Sequence, residues 1–165
     1  VGADFDRGTN FQAYATYDWA SQDALPTGDP RLDNNQLFDA RMREAVDEQL
    51  ASKGLRRSAS SPDLLVHYHA SVRDRIDVVR MDEARGYSVG EKSESFVYEE
   101  GTLLVDVVHA QSKKLLWRGW AQTELNTLLT APETMAARLK DVAWRMFKQF
   151  PRSAPIEPVV AMPPA

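Results

Sequence analysis

Apolar and polar positions alternate most sharply over residues 101–125, where GTLLVDVVHAQSKKLLWRGWAQTEL reads as two strands joined by a polar turn. The predicted strands run over 98–109 and 115–125, folding back through 110–114. A period of two also marks residues 10–20, with Phe11, Ala13, Ala15, Tyr17 and Trp19 on one face and Gln12, Tyr14, Thr16 and Asp18 on the other. The same period predicts a strand over 63–73, with Leu64, Val66, Tyr68, Ala70 and Val72 set against Leu65, His67, His69 and Ser71. Between these strands the spacing changes. Phe38, Met42, Val46 and Leu50 step by four and predict an amphipathic helix over 35–53, with Gly54 placed to stop it. A second helix starts at Pro132, which suits a first helical turn, carries Met135, Leu139, Val142, Met146 and Phe150, and ends at Pro151.

The pattern therefore predicts an α+β two-layer sandwich of about four mostly antiparallel strands with two helices on one face, in the order strand, helix, three strands, helix. Residues 1–151 read as a single domain, and the Pro-rich residues 152–165 as an extended or disordered tail. The stretch 76–97 is too long for a tight turn and is either a mobile loop or a protruding hairpin.

The chain has 165 residues, 43% hydrophobic and 27% charged, which fits one soluble globular domain with a core of its own. A net charge of −4 argues against a nucleic-acid binder, whose affinity comes from a basic surface. The absence of cysteine removes disulfides, thiolate metal sites and cysteine nucleophiles. The opening VGADFD, with neither initiator Met nor apolar leader, reads as the start of a mature or trimmed product.

Candidate chemistry is sparse. His67 and His69 lie two apart on one predicted strand, about 7 Å apart along the backbone. His109 ends another strand and could complete a three-nitrogen metal site, but the same residues also read as ordinary polar positions on a half-exposed face. Ser60, Ser61, Asp63, His67 and His69 supply the residue types of a hydrolase triad without a nucleophile elbow. The segment GYSVG at 86–90 lacks the lysine of a phosphate loop and reads as a turn. Asp106 and Arg118 are placed to form a cross-strand ion pair that holds register. No catalytic residue, cofactor or metal ligand is assigned, and the protein is expected not to be an enzyme.

The segments FQAYATYDW, SPDLLVHYH and GTLLVDVVHAQSKKLLWRGWA, with a closing helix ending at Phe150 and Pro151, resemble a family of bacterial envelope lipoproteins catalogued as domain of unknown function 4136. Tyr17, Trp19, the Pro62–Asp63 step, Gly101 to Leu103 and Leu116 to Gly119 carry that resemblance; the chain departs from it at His109, where members often carry an acidic residue. The resemblance implies export, acylation at a cysteine upstream of Val1, and residence on the periplasmic side of a membrane, most often the outer one. The expected role is a non-catalytic interaction or assembly module with an envelope protein as partner. The partner surface is expected around His67, His69, Arg118 and Trp120, with the 76–97 stretch as a second contact. Two alternatives remain open at this level: a binder of a small apolar ligand or lipid, and a metal-binding protein using the histidines.

Overall fold

A computed structural model describes residues 1–21, 32, 35–71, 75–77, 97–99, 101–123, 128–129 and 131–152. In chain order the elements are β1 (Gly2–Phe5), a 3₁₀ turn (Phe11–Ala13), β2 (Thr16–Trp19), α1 (Gln36–Ser52), β3 (Arg56–Arg57) and β4 (Leu64–Ser71). They are followed by β5 (Arg75–Asp77), β6 (Val97–Glu99), β7 (Thr102–His109), β8 (Leu115–Gln122) and α2 (Pro132–Phe147).

One mixed six-stranded sheet has the order β1-β8-β7-β4-β2-β3, and β5 pairs with β6 in a separate antiparallel ladder. Among the described residues the architecture is thus α+β with two long helices, as the pattern predicts, but the sheet has more strands and a different order. Two short strands went unforeseen, β1 beside β8 and β3 beside β2. The antiparallel half runs from β1 through β8 and β7 to β4, whereas β2 pairs parallel with both β4 and β3. The reason is the connection: a strand that leaves through a helix and returns beside itself comes back in the same direction.

The predicted strand over 10–20 is also shorter than expected. The Asn10 side chain accepts from the Gln12 N–H and caps a 3₁₀ turn, so only Thr16–Trp19 joins the sheet, and Ala13 and Ala15 are exposed rather than inward. Similarly, Tyr98 belongs to β6, and β7 begins only after Gly101. Gly101 adopts φ +76°, its N–H bonds Ser71 O and its O accepts from Thr123 N–H, both at 2.8 Å. A Cβ there would sit 2.5 Å from Thr123 O, so only glycine fits.

α1 forms where its four-residue apolar step predicts. The Asn35 Oδ1 accepts from Phe38 N–H at 2.9 Å to cap its start. At its end Gly54 takes φ +84° and the Leu55 N–H returns to Leu50 O at 3.0 Å. Phe38, Met42, Ala45, Val46 and Leu50 of α1 and Met135, Leu139, Ala143, Met146 and Phe147 of α2 share one core. From the sheet they meet Leu64, Val66, Leu103, Val105, Val107 and Trp117. Both helices therefore cover the same sheet face.

Candidate functional site

β4, β7 and β8 set the polar residues of the second sheet face, the one away from that core, in two rows. Register places His67 opposite Asp106 and Asp106 opposite Arg118; one step along, His69 faces Leu104 and Leu104 faces Trp120. β1 extends both rows, with Asp4 opposite Arg118 and Gly2 opposite Trp120. Facing residues on paired strands lie about 5 Å apart on the same side, so each row is contiguous.

The cross-strand ion pair forms. Arg118 Nε donates to Asp106 Oδ1 at 2.6 Å and Nη2 to Oδ2 at 2.8 Å, a two-pronged contact that only the planar guanidinium can make. Its side chains are 5% and 0% exposed. Taking both charges out of water offsets most of their attraction, so the pair adds little net stability. It does fix register, because a slip of one residue would separate two buried charges.

His67 and His69 project from the same face, as their spacing requires, but that face is not half-exposed. Both are 5% exposed, and Ser71, Thr102 and Arg118 are also buried, while Trp120 is partly exposed. Three of the four residues expected to line a partner surface are therefore withdrawn from solvent. Alternation shows which side chains share a face; it carries no information on whether the face is covered. The pairing of charge within the sheet is what makes such a polar face tolerable in the interior.

His109 does not join the other two histidines. It lies opposite Leu64, on the core-side face and at the end of its strand. There its Nδ1 accepts from the Ser112 N–H at 3.2 Å and lies 2.9 Å from Ser112 Oγ, capping the β7–β8 turn, and its ring lies 5.8 Å from that of Tyr14. Among the described residues no group of three or more His, Cys, Asp or Glu side chains is arranged to hold a metal ion.

The hydrolase residue types are also kept apart. Ser60 and Ser61 lie exposed in the loop before β4, whereas His67 and His69 point into the buried face. Asp63 is committed to the backbone: its Oδ2 accepts from Ala15 N–H at 2.8 Å and Thr16 N–H at 3.1 Å. These bonds, the Ala15 one foremost, hold its carboxyl below the usual value of 3.8. The GYSVG segment and all but the ends of the 76–97 stretch lie outside the described residues.

Sequence reasoning missed a seam of acids between α1 and the sheet. The Tyr17 hydroxyl and the Trp19 indole N–H both donate to Asp47 Oδ1, at 2.6 and 2.9 Å, and the Tyr68 hydroxyl donates to Asp39 Oδ1 at 2.7 Å. Burial first, then the Asp47 bond, pushes the Tyr17 phenol above its ordinary range. Arg43 pairs with Asp39 at 3.1 Å and lies 4.9 Å over the Trp19 ring. The signal was present: Asp39, Arg43 and Asp47 step by four beside the apolar stripe. Arg152, taken for the head of the tail, is buried.

Three comparisons bear on this arrangement. The chain matches the family described as Domain of unknown function (DUF4136) over residues 1–152. No curated protein matches it. Among solved structures it resembles a crystal structure of a PDZ domain protein from Parabacteroides distasonis ATCC 8503, at 15% identity and a TM-score of 0.50, over 90% of this chain and 34% of that one. The chain thus spans about a third of that protein, and at this identity the likeness concerns the fold alone.

Proposed function

The chain belongs to the family described as a domain of unknown function, DUF4136, and from that premise we propose that it is a non-catalytic interaction or assembly domain. We place it on the periplasmic side of a bacterial membrane, held there by an N-terminal lipid anchor. The location rests on the resemblance of its strand and hairpin segments to envelope lipoproteins. Among the described residues no helix is long and apolar enough to cross a membrane.

One observation carries the interaction reading: β1 is an edge strand of the described sheet whose backbone is aimed outward. The Asp6 N–H donates to Leu116 O at 2.8 Å, toward β8. Alternation then turns the Gly2 and Asp4 N–H groups toward β8 and those of Ala3 and Phe5 away from it. The Phe5 N–H is occupied by Asp4 Oδ1 at 2.9 Å, which leaves Ala3 as the donor a partner strand would meet. The Trp120 ring lies over Gly2, where a Cβ would come within 2.5 Å of it, and forms an aromatic wall beside the edge. The opposite edge is less suited, since β3 has only Arg56 and Arg57, both exposed.

Ala3→Pro tests the reading, because it deletes the outward N–H and leaves the β8 bonds in place. Crosslinking in the native envelope followed by mass spectrometry should capture a specific envelope protein with the wild type and lose it with the variant, at unchanged Tm. Capture of the same partner by both would refute the edge as the contact. Among the described residues the buried Trp117 Nε1 has no hydrogen-bond partner, but an unpaired N–H calls for an acceptor and does not favour the apolar-ligand alternative. The packing of Phe147 and Phe150 on that ring, at 4.7 and 5.2 Å, accounts for its position without a ligand.

A further inference from the structure

The ends of both helices meet at one guanidinium. Arg152 Nε donates to Lys53 O at 2.9 Å, Nη2 to Gly54 O at 3.3 Å, and Nη1 to Phe11 O at 2.9 Å and to Tyr14 O. Four backbone carbonyls from two distant stretches of chain thus converge on one planar cation, and among the described residues no carboxylate joins them. Two of them belong to the C-terminus of α1, where Lys53 is the cap and the chain turns left-handed at Gly54. Carbonyls at that end lack partners within the helix and carry its partial negative charge. α1 has no basic residue in its own last turn, so Arg152 supplies from outside the cation that such an end favours. The other two carbonyls belong to the 3₁₀ turn, Phe11 as its first residue and Tyr14 as its C-cap. Burial alone disfavours the charged guanidinium, so these dipoles are what hold it.

Each carbonyl is positioned by bonds that do not involve Arg152. Gly54 N–H donates to Ala51 O at 2.9 Å and Leu55 N–H to Leu50 O at 3.0 Å; Gln12 N–H, in the same peptide plane as the Phe11 carbonyl, donates to Asn10 Oδ1 at 3.2 Å; Asp63 fixes the Ala15 amide. The Phe150 ring packs edge-on against Phe11 at 5.5 Å, so the chain reaches the cluster already aligned.

We propose that these four carbonyls form a preorganised guanidinium socket and that Arg152 is its resident ligand, a latch fastening the chain after α2 to the front of the domain. The latch can be withdrawn without rebuilding the sheet, because nothing in the sheet depends on it for a hydrogen bond.

The test is chemical rescue of the full chain. Arg152→Ala should lower Tm by about 4 °C or more. Low-millimolar guanidinium chloride should restore much of that loss, saturably, in the variant and not in the wild type, while sodium chloride at equal ionic strength does nothing. An unchanged Tm in the variant, or a loss that guanidinium repairs no better than sodium, would overturn the socket. Should Arg152→Ala not fold, the same titration on Arg152→Gln decides: a guanidinium-specific gain supports the proposal and its absence refutes it. Neither outcome touches the β1 edge.

Discussion

Asp63 binds two amides of the neighbouring strand segment and donates its own N–H to Thr16 Oγ1 at 3.0 Å, so one residue joins the entry of β4 to that of β2. Reciprocal bonding at the mouth of a parallel pair does what a hairpin turn does for antiparallel strands: it sets the register before the ladder begins. The carboxylate is the better acceptor, and its lowered pKa expresses that preference. The sign follows: a carboxyl depressed in the folded state adds stability above its unfolded value of 3.8, and loses it as pH falls through the lower folded value. Asp63→Asn should therefore cost about 1.5–3 kcal/mol near neutral pH. In urea titrations the gap from wild type should narrow below the ordinary carboxyl value, and a gap that stays constant into acid would show that the charge is not what binds.

The β7–β8 hairpin was the most legible element, because its alternation is long and its turn is polar, and the ion pair within it could be read from residue types alone. Arg118→Leu by itself should cost about 3–5 kcal/mol, since it removes both guanidinium bonds to the buried Asp106 carboxylate. Arg118→Leu with Asp106→Leu should recover most of that loss, and equal losses in the single and double variants would show that Arg118 acts through packing alone. Other elements were harder to read for physical reasons. β1, with the sequence GADF, has too few residues to show a period, and it is a strand only because β8 offers an edge. Ala13 and Ala15 fit the alternation by type, but a single Asn10 cap bends the chain away from it. In α2 the buried set is Met135, Leu139, Ala143, Met146 and Phe147, with Val142 only partly covered, because the apolar stripe drifts around the helix as it advances. The second-face histidines were assigned correctly to a common side and wrongly to a half-exposed face. That error arises between elements, where local periodicity has no reach.

At the scale of the whole molecule, the helix layer comes down close onto the sheet at Gly119, in the middle of β8. A Cβ there would lie 2.3 Å from the Trp117 ring and 2.5 Å from Met146 Cγ of α2. The glycine is required by space, not by backbone angle: it lets α2 settle onto the sheet so that Phe147 reaches Trp117. The same closeness explains how a polar second face can coexist with a sheet this small, since the apolar burial that drives folding is concentrated on the helix side. Gly119→Ala should overpack this contact and cost about 1–3 kcal/mol. Met146→Ala removes one of the two obstructing side chains, so in that background the added methyl should cost less, and the double-mutant cycle should return a coupling of about 1 kcal/mol. Strict additivity would mean that the sheet yields to the methyl rather than the helix. The spacing of the two layers would then be set by the Trp117 ring alone.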